Sequence, residues 1–411
     1  MEGEKFKMEK ILNIAVTGAE DLPIPAVHGG AVEVLVEELI RGNERNYKFN
    51  IDLYTVSDPL LDTIKYKHCN IIQMYPEEIK KFQENFEEKK SSLGLAINEK
   101  MKNKKYDFVL VEHSMRVYNS IQNHKNLIFH LHCNIDDERY RPKWLSKKII
   151  DTSYCTLSVS QFVANALNKI EVSEKNKVFY NCIDFDVFNL DNIDDDFIKN
   201  FKRNNNIKEN DFCFVYSGRV RPEKGVLQLI KAFKMLRKKY DNIKLLIIGK
   251  PDFGNDDETE YTRKLKEISG EIKDDIVFTG FVNHDDIPTV LSIGDCAVIP
   301  SMYEEAFGVV ALEAMAMKKA VISTISGGLT EPLNDECAIF VDKRNDATEN
   351  IYKAMEQIVE NKDFTKKMGE AGYKRVHSIY DFDSKNYFDN FCKKIQIEDF
   401  IKKITTQVRN N

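Results

Sequence analysis

Short runs of apolar residues recur along the chain, each followed by a longer stretch with helical spacing. This alternation constrains the fold more than any other feature. The runs cover 11–17, 51–56, 108–111, 127–131, 155–159 and 177–180, then 212–217, 244–248, 276–279, 296–300, 320–324 and 338–341. Many are apolar throughout rather than at every second position, which is how strands covered on both faces of a parallel sheet read. Between them, Val226, Leu229, Ile230, Phe233 and Leu236 form a helical stripe, with Lys231, Lys234, Arg237 and Lys238 on the other faces. Strand–helix alternation predicts βαβ units and doubly wound α/β sheets. The pattern pauses over 181–210, where an acidic run (194–196) and Lys202-Arg203-Asn204-Asn205-Asn206 intervene, and resumes at Phe212. Two Rossmann-like domains facing a cleft are expected, over 1–200 and 201–379. A polar helical tail follows, with its helix at about 384–405.

Composition supports this size of architecture. At about 100–200 residues per domain, 411 residues exceed one domain. Lys plus Arg is 60 and Asp plus Glu is 66, a net charge of −6, which argues against a nucleic-acid protein held by phosphate neutralisation. No apolar run reaches the ~18 residues of a membrane span. The first apolar stretch is too short, and its flank too acidic, for a signal peptide. The eight cysteines, at 69, 133, 155, 182, 213, 296, 337 and 392, include no Cys-x-x-Cys pair. Reduced, mostly buried thiols in a cytoplasmic protein are expected.

Four segments carry chemistry. Ser217-Gly218-Arg219 through Lys224-Gly225 follows the first strand of the second domain, where α/β proteins bind ligands beyond the strand ends. Gly218 permits a tight turn, and Arg219 and Lys224 are cations for an anion, although a charged surface loop reads the same way. Tyr303-Glu304-Glu305-Ala306-Phe307-Gly308 then leads into a helix over 309–317. Its first N–H groups, at Phe307, Gly308 and Val309, make an anion site. Glu305 precedes that helix end, where Glu304 and Glu305 also simply favour the dipole. Glu313 lies about one and a half turns in, where a carboxylate can accept from a vicinal diol. Glycine pairs at Gly29-Gly30 and Gly327-Gly328 offer close backbone approach. Finally, His130-Leu131-His132 ends a strand and puts both rings on one face. His132 then enters the expected cleft, and His130 reads as a packed, hydrogen-bonded core residue. A metal reading of the pair lacks an evident third ligand.

Taken in order, Gly218-Arg219…Lys224-Gly225, Glu305-x7-Glu313 enclosing Phe307-Gly308, and Gly327-Gly328…Glu331 resemble the retaining glycosyltransferases of family 4. Leu22-Pro23-x-Pro25-x3-Gly29-Gly30 and Asn181-x-x-Asp184-x3-Phe188 resemble that family's glycine loop and linker. The resemblance spans about 10–380. It implies the GT-B fold, with two Rossmann-like domains and a C-terminal helix (about 380–411) crossing back to the first. It implies a hexosyltransferase-type enzyme with a sugar-nucleotide donor, UDP- or GDP-linked, retention at the anomeric carbon, no required metal and no cofactor. Arg219 and Lys224 are implied to neutralise the donor diphosphate. Phe307 to Val310 would offer N–H groups, Glu313 would bind the ribose, and Glu305 would contact the donor sugar. His132 would face that sugar from the first domain, with Gly29 and Gly30 close to the diphosphate. The acceptor implied is a glycan or lipid-linked intermediate of cell-surface polysaccharide, with no nucleic acid involved. The enzyme would be cytoplasmic, with a peripheral contact at the inner membrane face. Lysines over 100–105 could meet anionic lipid, but with Glu87, Glu88 and Glu99 nearby a solvated helix end is favoured about three to one. Loops at 249–254 and 280–282 are expected to select the base.

The sequence departs from the family at Cys182, Ala306, Lys318 and Ala320, where Gly, Pro, Gly and Pro are usual. Other readings remain at this point. They are a sugar-nucleotide epimerase or hydrolase on the same scaffold, and a non-catalytic nucleotide-sugar binder. A nicotinamide enzyme would need Gly-x-Gly-x-x-Gly after the first strand, and Thr17-Gly18 does not begin one. Asp184-Phe185-Asp186 spells the metal motif of another transferase fold but falls in the expected linker.

Overall fold

Residues 10–18, 20–122, 124–135, 141–251 and 259–409 are described by the computed structural model, the side chains of 407–409 excepted. The described residues form thirteen strands, twelve of them at the apolar runs: β1 (Leu12–Thr17), β2 (Phe49–Val56), β3 (Cys69–Met74), β4 (Phe108–Glu112), β5 (Leu127–Leu131), β6 (Cys155–Ser158), β7 (Asn176–Val178), β8 (Phe212–Ser217), β9 (Ile243–Ile248), β10 (Ile276–Gly280), β11 (Cys296–Ile299), β12 (Ala320–Thr324) and β13 (Ala338–Val341). The first seven pair in the order β3-β2-β1-β4-β5-β6-β7 and the rest in the order β10-β9-β8-β11-β12-β13. Every pairing is parallel. Both sheets are doubly wound. The chain runs outward from β1 to β3 and from β8 to β10, then crosses back to β4 and β11. The reversal points, between β1 and β4 and between β8 and β11, are where such sheets open a ligand crevice.

The chain divides into two compact units, Met1–Tyr180 with Ser384–Asn411, and Asn181–Asp383. The division falls at 180/181 rather than the expected 200/201. The pause in the pattern belongs wholly to the second unit: Ile183 N–H donates to the Phe382 carbonyl at 3.0 Å. The helix Asp195–Asn204 packs on the helix Ile287–Ser292. Strand β3 was not visible as an apolar run because Asn70 and Gln73 interrupt it. It is an edge strand, and an edge needs less apolar cover.

In the second unit the predicted stripe faces the core. Val226, Leu229, Ile230, Phe233 and Leu236, on the helix Val226–Arg237, are fully buried beside Phe214, Leu245 and Ile247. Removing one such leucine side chain costs about 2–5 kcal/mol. The tail is two helices, Ser384–Lys394 and Ile397–Arg409, with Gln396 at φ 55° at the break. Its sequence reads polar, yet it presents an aromatic stripe to the first unit. Phe388 and Phe391 pack on Phe49, and Phe400 lies 4.5 Å, centroid to centroid, from Phe108. All eight cysteines are free, and all but Cys133 are buried.

Candidate active site

The loop after β8 is built to hold a cation at the sheet edge. Gly225 has φ 74°, and a Cβ there would sit 1.9 Å from the Pro300 carbonyl oxygen. Only glycine permits this approach. The Met302 N–H donates to the Glu223 carbonyl at 2.8 Å, fastening the loops after β8 and β11 together. Lys224 is thereby carried to Glu305: Nζ donates to Oε1 at 2.8 Å and to the Tyr303 hydroxyl at 2.7 Å. The same Nζ lies 4.8 Å from the centre of the Tyr303 ring. Tyr303 in turn donates to Glu305 Oε2, and Ser301 Oγ donates to Oε1 at 2.6 Å. The Glu305 N–H donates to Ser326 Oγ at 3.1 Å, and its carbonyl accepts from the Gly328 N–H at 2.8 Å.

Burial alone would raise the Glu305 carboxyl. The Lys224 charge and the hydrogen bonds from Lys224, Ser301 and Tyr303 outweigh it and hold the group below its usual range. Glu305 is therefore an ionised, buried carboxylate with a cation against it. Its neighbour Glu304 does something else, pairing with Lys343 at 3.0 Å. Arg219 is exposed, and among the described residues its guanidinium makes no ion pair. Its carbonyl accepts from the buried Tyr216 hydroxyl at 2.6 Å, which pins the backbone beside Gly218.

The helix after β11 runs Val309–Ala316 and is capped by Gly308 at φ 91°. A Cβ at Gly308 would lie 2.4 Å from Leu329 Cδ1. Val309 and Val310 occupy the first positions, where N–H groups lack intrahelical acceptors. Phe307 is 1% exposed and packs edge-on against Phe382. Its side chain is an anchor. Glu313 is buried on this helix at 7% exposure, and burial alone pushes its carboxyl up to about 7. The two glutamates thus sit in opposite electrostatic settings: Glu305 is held ionised, while Glu313 is poised near neutrality.

In the first unit, Gly29 and Gly30 both have positive φ, and Gly30 caps the helix Ala31–Arg45. A Cβ on Gly30 would lie 2.1 Å from Oε2 of the buried Glu33. A diphosphate at Gly30 would therefore meet a carboxylate. The Glu33 signal was present in the sequence, three residues on from Gly30 and so over the same first turn.

His132 follows β5, and its Nε2 lies 2.6 Å from Glu112 Oε2, at the end of β4. His130 Nδ1 lies 3.0 Å from the same oxygen. Burial would raise Glu112, but the two histidines bring it down to about 2. Burial, and then His130, lower His132 to about 4 against the pull of Glu112. His113, at φ 63°, is lowered to about 3 by burial and then by His132 and Arg141. Glu112 supplies the third donor that the sequence did not make evident. The donor atoms of Glu112, His130 and His132 lie within 4.8 Å of one another, a set able to hold a metal ion. Sequence reasoning missed Glu112, Ser301, Tyr303 and Ser326. Glu112 did leave a sign, as a carboxylate ending an otherwise apolar strand.

Of the expected residues, Gly218, Arg219, Lys224, Glu305, Phe307, Gly308, Val309, Val310 and Glu313 belong to the second unit, and Gly29, Gly30 and His132 to the first. Within the second unit, Lys224 and Glu305 are in direct contact. Of the loops expected to select the base, residues 252–254 lie outside the described residues.

Residues 197–375 match the family described as Glycosyl transferases group 1. A Bacillus subtilis protein named as a glycosyltransferase, YtcC, is 22% identical over 383 residues, covering 90% of this chain and 89% of its own. The lipopolysaccharide 1,2-N-acetylglucosaminetransferase of Salmonella typhimurium is 39% identical over 133 residues, which is 32% of this chain and 35% of that one. Among solved structures, Anabaena HepE in complex with UDP and glucose superposes with a TM-score of 0.71 at 17% identity, over 94% of this chain and 99% of HepE. Two parallel-sheet Rossmann-like units with this likeness are the GT-B fold.

Proposed function

From the premise that the chain belongs to the group 1 glycosyltransferases through residues 197–375, we propose that it moves a sugar from a nucleoside diphosphate sugar to a hydroxyl acceptor, with retention and without a metal ion. One observation carries this reading. A lysine cation, Lys224, is held 2.8 Å from a buried carboxylate, Glu305, at the carboxyl edge of a doubly wound sheet. The free N–H groups of a helix start stand three residues beyond Glu305, and the buried Glu313 lies on the same helix.

Breaking the anomeric C–O bond leaves its electron pair on the departing diphosphate. Fixed cations and N–H groups stabilise such developing charge because they need no reorganisation. Lys224 and Arg219 supply the cations, and Gly308, Val309 and Val310 supply N–H groups. Glu313, once ionised, accepts from the two ribose hydroxyls. Glu305, paired with Lys224, contacts the donor sugar. The acceptor oxygen forms its bond on the face the diphosphate leaves, and its proton passes to a diphosphate oxygen. No carboxylate nucleophile is then needed.

The acceptor proposed is a lipid-linked or polysaccharide intermediate of cell-surface glycan synthesis. The lipopolysaccharide transferase of Salmonella supports this class. Work at the cytoplasmic membrane face fits a chain in which no helix, among the described residues, is long and apolar enough to cross a bilayer. HepE was solved with UDP and glucose, which makes UDP-sugars the first donors to try.

The test is a melting screen against UDP-, GDP-, ADP- and dTDP-sugars in EDTA, followed by NMR of the product's anomeric proton. Stabilisation by one nucleotide class and a retained configuration are expected. An inverted product would refute retention. Hydrolysis alone, with every acceptor class offered, would refute transfer.

A further inference from the structure

The buried cluster of the first unit carries an inference that rests on the reading above and deepens it. Glu112 is 2% exposed and His130 1%. Glu112 and His130 are register partners on adjacent parallel strands, so their side chains leave the sheet together. Glu112 Oε2 lies between two ring nitrogens, at 2.6 Å from His132 Nε2 and 3.0 Å from His130 Nδ1. One oxygen shared by two ring nitrogens is served best when the carboxylate only accepts and both nitrogens carry protons. In neutral His132 the remaining nitrogen, Nδ1, is then unprotonated and can only accept.

We propose that Glu112 is a positioning residue: by accepting the Nε2 proton of His132, it fixes that ring in one tautomer, with Nδ1 left as the hydrogen-bond acceptor for a substrate hydroxyl. Carboxylate partners set imidazole tautomer and orientation in this way wherever a ring must face substrate with one defined nitrogen. His130 contributes the second hydrogen bond to Glu112, and its own Nε2 is buried without a partner among the described residues. That nitrogen is silent in the pair, so the polarity of the cluster converges on the carboxylate. The other groups facing the cluster are His113 after β4, whose ring centre is 6.2 Å from that of His132, and Arg141, which acts on His113 and Cys133. Neither is hydrogen-bonded to His132, so neither specifies its tautomer.

Two measurements test this. The first is long-range 15N–1H NMR of histidine-labelled protein, with His132→Gln used to assign the signal. It needs no turnover, so it reads Glu112 even if the proposed reaction fails. The Nε2–H tautomer is expected for His132 at pH 7, giving way to a mixture or to Nδ1–H in Glu112→Gln. A wild-type Nδ1–H tautomer, or no change in the variant, would overturn the proposal. The second is a double-mutant cycle on transfer with the donor identified by melting. Glu112→Gln is expected to lower kcat about 10–100-fold with little change in donor KM, and Glu112→Asp to restore part of it. In a His132→Gln background the same change should cost less than about 3-fold. An equal loss in both backgrounds would make Glu112 merely structural and overturn the proposal, as would a fully active His132→Gln. If Glu112→Gln fails to fold, the wild-type tautomer and Glu112→Asp still decide. Absence of transfer in the wild type, with the expected tautomer present, would sink the proposed function and leave the positioning intact.

Discussion

Replacing Glu313 with Gln should make the protein more stable in alkali and worse at holding a nucleotide. Burial raises the Glu313 carboxyl to about 7 from an ordinary 4.5. The folded chain therefore keeps a proton that the unfolded chain gives up. Stability from this group is fully present below about pH 4.5 and is lost as pH rises through 7. The loss is complete above that, at about 3 kcal/mol. Glutamine has the same shape and never ionises, so it avoids the loss. Between pH 5 and pH 8.5 the advantage of Glu313→Gln should grow by about 2–3 kcal/mol. For a unit of about 200 residues that is a relative gain of about 5–10 °C in Tm. Thermal denaturation of both proteins at the two pH values measures it. Binding should move the other way, since an ionised carboxylate is what accepts from a ribose diol. At pH 6, calorimetry in buffers of differing ionisation enthalpy should show close to one proton released per nucleotide by the wild type. The variant should release none and bind about 10-fold or more weakly. A pH-independent difference in Tm would refute the buried titrating carboxyl, and unchanged nucleotide affinity would refute its role toward the ribose.

Lys224→Ala strands the Glu305 carboxylate in a buried site, so it should lower Tm and cut turnover at least about 100-fold. Adding Glu305→Gln should recover Tm without recovering turnover, and recovery of both would remove the pair from the site. At saturating donor, kcat should stay level down to about pH 5 and fall as pH drops through about 4, where the lowered His132 becomes charged and its Nδ1 can no longer accept. An acid limb near 6.5 would show that His132 is not the group that matters. Transfer should be unaffected by EDTA. Loss with EDTA and rescue by zinc or manganese would instead make Glu112, His130 and His132 a metal site.

The fold was legible where burial on both faces leaves a run such as Leu127–Leu131 with no polar side chain but His130. It was not legible at β3, whose edge position tolerates Asn70 and Gln73, nor at the unit boundary. There a polar, acidic segment is fastened by a backbone hydrogen bond between Ile183 and Phe382, nearly two hundred residues apart. The tail misled for a related reason. A helix shows its core only as a narrow stripe, and Phe388, Phe391 and Phe400 are few among lysines and aspartates. At the site, spacing along one helix placed Glu313 without help. The Lys224–Glu305 contact joins residues far apart in sequence, and the sequence could name its members but not their meeting. Glu112 showed only as a carboxylate ending an apolar strand, and its partners were hidden for the same reason: β4 and β5 must pair in register before it stands between two histidines.

The central claim is that the second unit binds a nucleoside diphosphate sugar through Lys224 without a metal. Calorimetric titration of the wild type and of Lys224→Ala with the donor selected by melting, both in EDTA, tests it most directly. The account predicts a saturable heat for the wild type and a Kd at least about 10-fold higher for the variant. Equal affinity in the two proteins, or binding that appears only when a divalent ion is added back, would contradict it.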